Sequence, residues 1–209
     1  MDLSLYLVTD RQLAGERPIE EIVRQAISGG VTTVQLREKG TPSEEFFKIA
    51  TSLRALTRKE GVTFIVNDRL DIALAAGADG VHVGREDLPA ERARELLGAD
   101  RILGVTAANE EEARDAAAVG ADYIGCNAVF PTLTKTDTGP AIGLEGLERL
   151  VNSVDIPVVA IGGINAGNAG DVLSTGVAGI AVVSAIVSAN DPVLAAGELR
   201  RLINLKKQE

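Results

Sequence analysis

Hydrophobic positions along the chain fall into two alternating patterns. Short runs rich in β-branched residues recur at 5–9, 33–37, 63–66, 80–83, 102–105, 123–125, 158–161 and 179–183. Longer stretches with apolar residues at helical spacing follow them, near 19–28, 43–59, 70–76, 90–97, 110–119, 144–151, 166–174 and 192–205. Strands in strict alternation with helices predict βαβ units and a parallel sheet. The number of such units favours a closed (β/α)8 TIM barrel over an open sheet, in one α/β domain spanning residues 1–209. An internal echo agrees with this. The segments Gly77-Ala78-Asp79-Gly80-Val81, Gly120-Ala121-Asp122-Tyr123-Ile124 and Gly176-Val177-Ala178-Gly179-Ile180 each end a helix and open a strand. Glycine is favoured just past a helix C-terminus, where the left-handed conformation costs it little. The strands that follow are apolar on both faces, as a sheet covered on both sides requires.

Composition sharpens the core but not the chemistry. Hydrophobic residues make up 45% of the chain, aromatics only 3%, and tryptophan is absent, so the interior must be largely aliphatic. The formal net charge of −9 argues against nucleic acid or an anionic membrane as partner for the surface as a whole, while leaving room for a local cationic site. Cys126 is the only cysteine, which rules out an intramolecular disulfide and agrees with a reducing cytoplasm. The apolar run 3–8 is framed by Asp2 and Asp10, unlike a signal peptide. No run approaches the roughly 18 apolar residues of a spanning helix. Barrels of this size often associate, so a homo-oligomer is an open expectation.

In such barrels the chemistry sits at the C-terminal ends of the strands. Alternation places Val34 and Leu36 on one face and Gln35, Arg37 and Lys39 on the other, toward the barrel mouth. A one-residue slip would send these polar side chains to solvent; otherwise they form an anion pocket, because buried unpaired charges are costly. The next two strand ends carry Asn67-Asp68 and, further on, Asp87. Two carboxylates there suit Mg2+, which takes one or two of them together with phosphates and water; each is also a plausible helix N-cap. His82, the only histidine, reads as a packed, hydrogen-bonded residue, and Cys126 as an inert buried thiol. The longest loop, 127–142, carries Thr132, Thr134, Lys135 and Thr136, which suit either a phosphate or a solvated polar loop. Gly162-Gly163 and Ser184 end the last two strands, where many barrels bind phosphate, although a Gly-Gly pair also serves as plain turn chemistry. The sum is two anionic subsites. One holds Arg37, Lys39, Asn67, Asp68 and Asp87 and suits a diphosphate with Mg2+. The other holds Thr132, Thr134, Gly163 and Ser184 and suits a monophosphate, with Lys135 available to either.

Six motifs run in order along these strand ends: Tyr6-Leu7-Val8-Thr9-Asp10, Gln35-Leu36-Arg37-Glu38-Lys39, Asn67-Asp68-Arg69, the stretch from His82 to Asp87, Val129-Phe130-Pro131-Thr132 with Thr134-Lys135, and Gly162-Gly163-Ile164. Together they resemble the thiamine-phosphate synthase family across essentially the whole chain. The resemblance implies a (β/α)8 transferase of thiamine biosynthesis. It would join hydroxymethylpyrimidine diphosphate to a thiazole phosphate, or its carboxylated form, releasing thiamine phosphate and diphosphate with Mg2+ as cofactor. By the same resemblance Gln35, Leu36, Arg37, Glu38 and Lys39 line the pyrimidine diphosphate, Thr106 the pyrimidine, and Asn67 the diphosphate. Asp68 and Asp87 hold Mg2+, and Thr132, Thr134, Gly163, Val183 and Ser184 hold the thiazole phosphate. Lys135 contacts the leaving group, with Arg37 and Lys39 assisting catalysis. The implied reaction is a dissociative substitution at the pyrimidine methylene that needs no protein nucleophile. The chain departs from the family pattern at Thr106 (usually serine), Arg85 (usually glutamine) and Asn127-Ala128 (usually Gly-Pro). Competing readings are a thiazole tautomerase-like isomerase, a phosphosugar isomerase or epimerase, and a non-catalytic binding protein for thiamine precursors.

Overall fold

Strand and helix alternation closes into a barrel in the computed structural model, which describes residues 1–132 and 140–208. The strands are β1 (Leu5–Val8), β2 (Thr33–Leu36), β3 (Thr63–Asn67), β4 (Gly80–Val83), β5 (Ile102–Ala107), β6 (Tyr123–Ala128), β7 (Val158–Ile161) and β8 (Gly179–Val182). Each pairs in parallel with the next, and β8 returns to β1 through Leu5 opposite Ile180, so no sheet edge is left. The helices are α1 (Arg11–Ala14), α2 (Ile19–Ser28), α3 (Ser43–Glu60), α4 (Leu70–Ala76), α5 (Ala90–Leu97), α6 (Glu110–Ala118), α7 (Gly143–Val151), α8 (Ala169–Ser174), α9 (Ser184–Val187) and α10 (Pro192–Lys206).

Side-chain alternation sorts the core into two shells. Leu5 and Leu7, Val34 and Leu36, Phe64 and Val66, Val81 and Val83, Leu103 and Val105, Ile124 and Cys126 point outward and pack with the buried faces of the helices. Tyr6, Val8, Ile65, Tyr123, Val159 and Ala181 point inward and fill the barrel axis. Burying the outward set against the helices is the main stabilising term, about 25 cal/mol for each Å² of apolar surface removed from water.

Four elements differ most from the sequence reading. Helices α1 and α9 are single turns, too short to show a helical period. Helix α8 starts at Ala169 rather than 166, because Asn165 and Asn168 tie the preceding residues into turns through their side chains. Strand β6 runs three residues past Gly125, with an irregular register against β7 between Gly125 and Ala128. Asn127 is polar and breaks the apolar pattern, but it faces the barrel mouth, where a polar residue belongs.

Candidate active site

A cavity of about 280 Å³ opens at the C-terminal ends of the strands. Arg37 and Lys39 line one side. Asn67, Asp68 and Asp87 continue the wall, and Gly162, Gly163, Val183 and Ser184 face it from the β7–β8 side. Thr132 also lines it. The floor carries Gln35, Tyr6, Tyr123, His82 and Thr106. Thr134 and Lys135 lie outside the described residues.

Two residues expected at the substrate are not on the cavity wall. Leu36 is fully buried in the outer shell, because alternation that sends Gln35 and Arg37 inward must send it outward. Glu38 also turns away. Its Oε2 accepts hydrogen bonds from Arg11 Nε at 3.0 Å and Thr41 Oγ1 at 2.9 Å, which ties the end of β2 to α1.

The cations of the wall are already matched with acids. Arg37 Nη1 lies 3.3 Å from Asp10 Oδ2 and Lys39 Nζ 2.9 Å from Asp68 Oδ2. Asp68 takes a positive φ of 61°, the only non-glycine to do so among the described residues. Aspartate tolerates this region better than most residues, and such departures gather where function over-determines the backbone. Neither acid is a helix cap. Helix α4 is preceded by Arg69 and α5 by Pro89, without side-chain caps. Asp87 instead closes its own turn, its Oδ2 accepting from Gly84 N–H at 2.7 Å.

Burial and the neighbouring Asp68 carboxylate hold the Asp87 carboxyl above the usual carboxylate range. Two carboxyl groups this close resist joint ionisation unless a cation joins them. Hard oxygen donors of this kind fit Mg2+. No group of three or more His, Cys, Asp or Glu suited to a metal exists among the described residues. Arg85, also on the wall, lies 3.6 Å from Glu112.

On the opposite side, Gly162 and Gly163 have φ of 98° and 67°. A Cβ at Gly163 would lie 2.8 Å from Phe130 Cβ and 3.0 Å from Pro131 O, so glycine is required for the backbone to lie against the 130–131 segment. Asn168 Nδ2 donates to Gly163 O at 2.9 Å and braces this turn. Val183 and Ser184 open α9 at the end of β8.

The floor is a connected polar string. Gln35 Nε2 donates to Tyr6 Oη at 2.8 Å, and Tyr6 Oη is 2.8 Å from Tyr123 Oη. His82 Nδ1 is 2.9 Å from Tyr123 Oη, and its Nε2 is 2.9 Å from Thr106 Oγ1. Tyr123 escaped the sequence reading, and Tyr6 entered it only within a motif and without a role, because an aromatic on an inward strand position looks like core. Room for the rings comes from Gly104 and Gly125, whose missing Cβ atoms would strike Tyr123 and His82. Cys126 is buried on the outer face, and burial pushes its thiol up to about 12, which suits an inert packing residue.

Similarity to known proteins extends over nearly the whole chain. A family model described as thiamine monophosphate synthase matches residues 5–186. The chain is 51% identical to thiamine-phosphate synthase of Moorella thermoacetica over 95% of each chain. It is also 51% identical to that of Archaeoglobus fulgidus, over 96% of this chain and 93% of the relative. The solved thiamine phosphate pyrophosphorylase from Pyrococcus furiosus superposes with a TM-score of 0.90 at 48% identity, covering 98% of this chain and 97% of that one.

Proposed function

The chain belongs to the thiamine-phosphate synthase family, transferases of thiamine biosynthesis, and from that premise we propose how its barrel mouth divides the reaction between two substrates. The observation that carries the reading is the acid pair Asp68–Asp87 beside Lys39, with Arg37 on the same wall. Hydroxymethylpyrimidine diphosphate lies on this side. Arg37, Lys39 and Asn67 bind its diphosphate, and Gln35 and Thr106 meet its ring from the floor. Asp68 and Asp87 would hold Mg2+, whose charge would offset that of the departing diphosphate.

The thiazole phosphate occupies the other side. Gly163, Val183, Ser184 and Thr132 receive its phosphate; Thr134 and Lys135 are assigned to the same reaction from outside the described residues. Substitution takes place at the pyrimidine methylene. Its C–O bond breaks, the electron pair leaves with diphosphate, and the thiazole nitrogen lone pair forms the new C–N bond. The electron-rich aminopyrimidine carries the positive charge in between. The chain aligns two substrates and stabilises charge growing on the leaving group; neither Cys126 nor His82 has to act as a nucleophile. Leu36 and Glu38 act behind the wall, through packing and through Arg11.

A tautomerase acting on the thiazole alone would have no use for the acid pair and its cations. A cytoplasmic location and self-association belong to this proposal as sequence expectations; no helix among the described residues is long and apolar enough to cross a membrane. The test is incubation with both substrates and Mg2+, followed by assay of diphosphate and thiamine phosphate. Equal yields of the two are expected. Absence of both, with substrates that a known synthase consumes, overturns the reading.

A further inference from the structure

The polar string on the floor has a direction. Its members come from β2, β1, β6, β4 and β5, in the order Gln35, Tyr6, Tyr123, His82, Thr106. Tyr6 and Tyr123 are almost wholly buried. Burial also holds both phenols well above their ordinary range, so each keeps its proton. Each phenol therefore has one proton to give. Tyr6 Oη already accepts from the Gln35 amide. If Tyr6 donates to Tyr123, Tyr123 donates to His82 Nδ1 and both protons are used. In the reverse order Tyr6 would accept from both neighbours, and its own proton would face two donors. A buried polar group left unsatisfied costs about 1–3 kcal/mol, which decides between the two orders. An imidazole nitrogen that accepts carries no proton, so the ring hydrogen sits on Nε2 and is donated to Thr106 Oγ1. Thr106 lines the cavity and, having accepted that bond, still has its hydroxyl proton to give.

We propose that Gln35, Tyr6, Tyr123 and His82 form a one-way hydrogen-bond relay that fixes His82 as the neutral Nε2–H tautomer and sets Thr106 as a donor to a ligand acceptor in the cavity. Tyr6, Tyr123 and His82 are positioning residues: they act on the substrate only through Thr106. The relay favours a heterocycle that presents a lone pair to Thr106, because the hydroxyl proton is left free to donate to it. Only the activity arm of the test rests on the synthase reading.

His82 is the single histidine of the chain, so protein labelled with 15N-histidine gives one pair of ring signals without assignment. At neutral pH Nε2 should report as protonated and Nδ1 as unprotonated. Tyr123→Phe, which removes the donor to Nδ1, should give a mixture of tautomers. A protonated Nδ1 in the unaltered protein, or a pattern unmoved by Tyr123→Phe, overturns the relay whatever the enzyme's activity. In the activity arm Tyr123→Phe should lower kcat/KM about tenfold, as expected for one misdirected hydrogen bond. The same loss should persist in a Thr106→Ser background and vanish in Thr106→Val, where no hydroxyl is left to orient. Fully additive losses with Thr106→Val would assign Tyr123 a purely structural role and also overturn the proposal. If Tyr123→Phe does not fold, Tyr6→Phe removes the upstream donor and should shift the same two signals.

Discussion

Lys39 Nζ lies 2.9 Å from Asp68 Oδ2, joining a cation and a carboxylate that the proposed reaction uses separately. The lysine side chain is 56% exposed and the aspartate 20%. A pair this open is worth about 0–1 kcal/mol, so a diphosphate and a metal ion can separate the two at small cost. Asp68→Asn should therefore hardly change stability, since asparagine also tolerates the positive φ at this position. Its turnover should fall about a hundredfold, near 3 kcal/mol, as for loss of one preorganised charge contact. Asp68→Ala should lose the same turnover and also melt lower, because alanine is strained at φ 61°. Saturating kinetics alongside thermal melts separate the two effects. Turnover near normal in Asp68→Asn would remove Asp68 from the metal site.

Asp87 makes a prediction of opposite sign for stability. Its carboxyl is held above the ordinary value of 3.8 by burial and by Asp68. The folded protein thus binds this proton more tightly than the unfolded chain, and stability falls as pH rises between the two values. Above the folded value the ionised group is a standing burden. Asp87→Asn keeps an acceptor for Gly84 N–H but removes the charge. Without Mg2+ it should melt higher than the unaltered protein at neutral pH. That advantage should shrink as pH falls through the raised range and vanish below about 3.8. Added Mg2+ should raise the melting temperature of the unaltered protein but not of the variant. Melting curves across pH, with and without Mg2+, check all three statements.

Gly163 is a backbone requirement at the proposed phosphate side. An alanine there would need φ near 67° and would bring its Cβ to 2.8 Å from Phe130 Cβ. The conformation alone costs about 1–2 kcal/mol, and the contact must push the 130–131 segment away. Gly163→Ala should raise KM for the thiazole phosphate far more than KM for the pyrimidine diphosphate, with a melting temperature lower by a few degrees. Equal effects on both KM values would count against the two-sided division of the mouth.

The division between Val34 and Leu36 on one side and Gln35, Arg37 and Lys39 on the other is legible in the sequence, because strand alternation is a local rule and no other strand mixes cations with β-branched residues so sharply. The same rule, carried further, separates Leu36 from its neighbours; a family motif read as a continuous block hides that. Asp68 and Asp87 remain ambiguous in sequence between cap and ligand. The structure removes the cap reading, since Arg69 precedes α4 and Pro89 precedes α5. The Tyr6–Tyr123 contact joins residues 117 apart and exists only once the barrel closes, so no local pattern announces it.

Two glycine-to-alanine substitutions should then move stability in opposite directions, and the reason lies in what each missing Cβ would meet. In α8, a Cβ at Gly170 meets nothing within 4 Å, and alanine is the better helix former by about 0.8–1.0 kcal/mol. Gly170 lies in the first turn of a six-residue helix, so Gly170→Ala should stabilise by a part of that amount. In β5, a Cβ at Gly104 would lie 2.2 Å from Tyr123 Cζ, 2.3 Å from its hydroxyl oxygen and 2.5 Å from His82 Nδ1. Tyr123 is fully buried and held by Tyr6 and His82, so the ring cannot swing aside without breaking the string. Overpacking of this kind costs about 1–3 kcal/mol, and the broken hydrogen bonds add to it. Gly104→Ala should therefore melt several degrees lower and lose the single-tautomer signal of His82. Chemical denaturation of both variants, with 15N spectra of the second, tests the pair. A stable Gly104→Ala with an unchanged His82 signal would mean that the glycine is not what seats Tyr123.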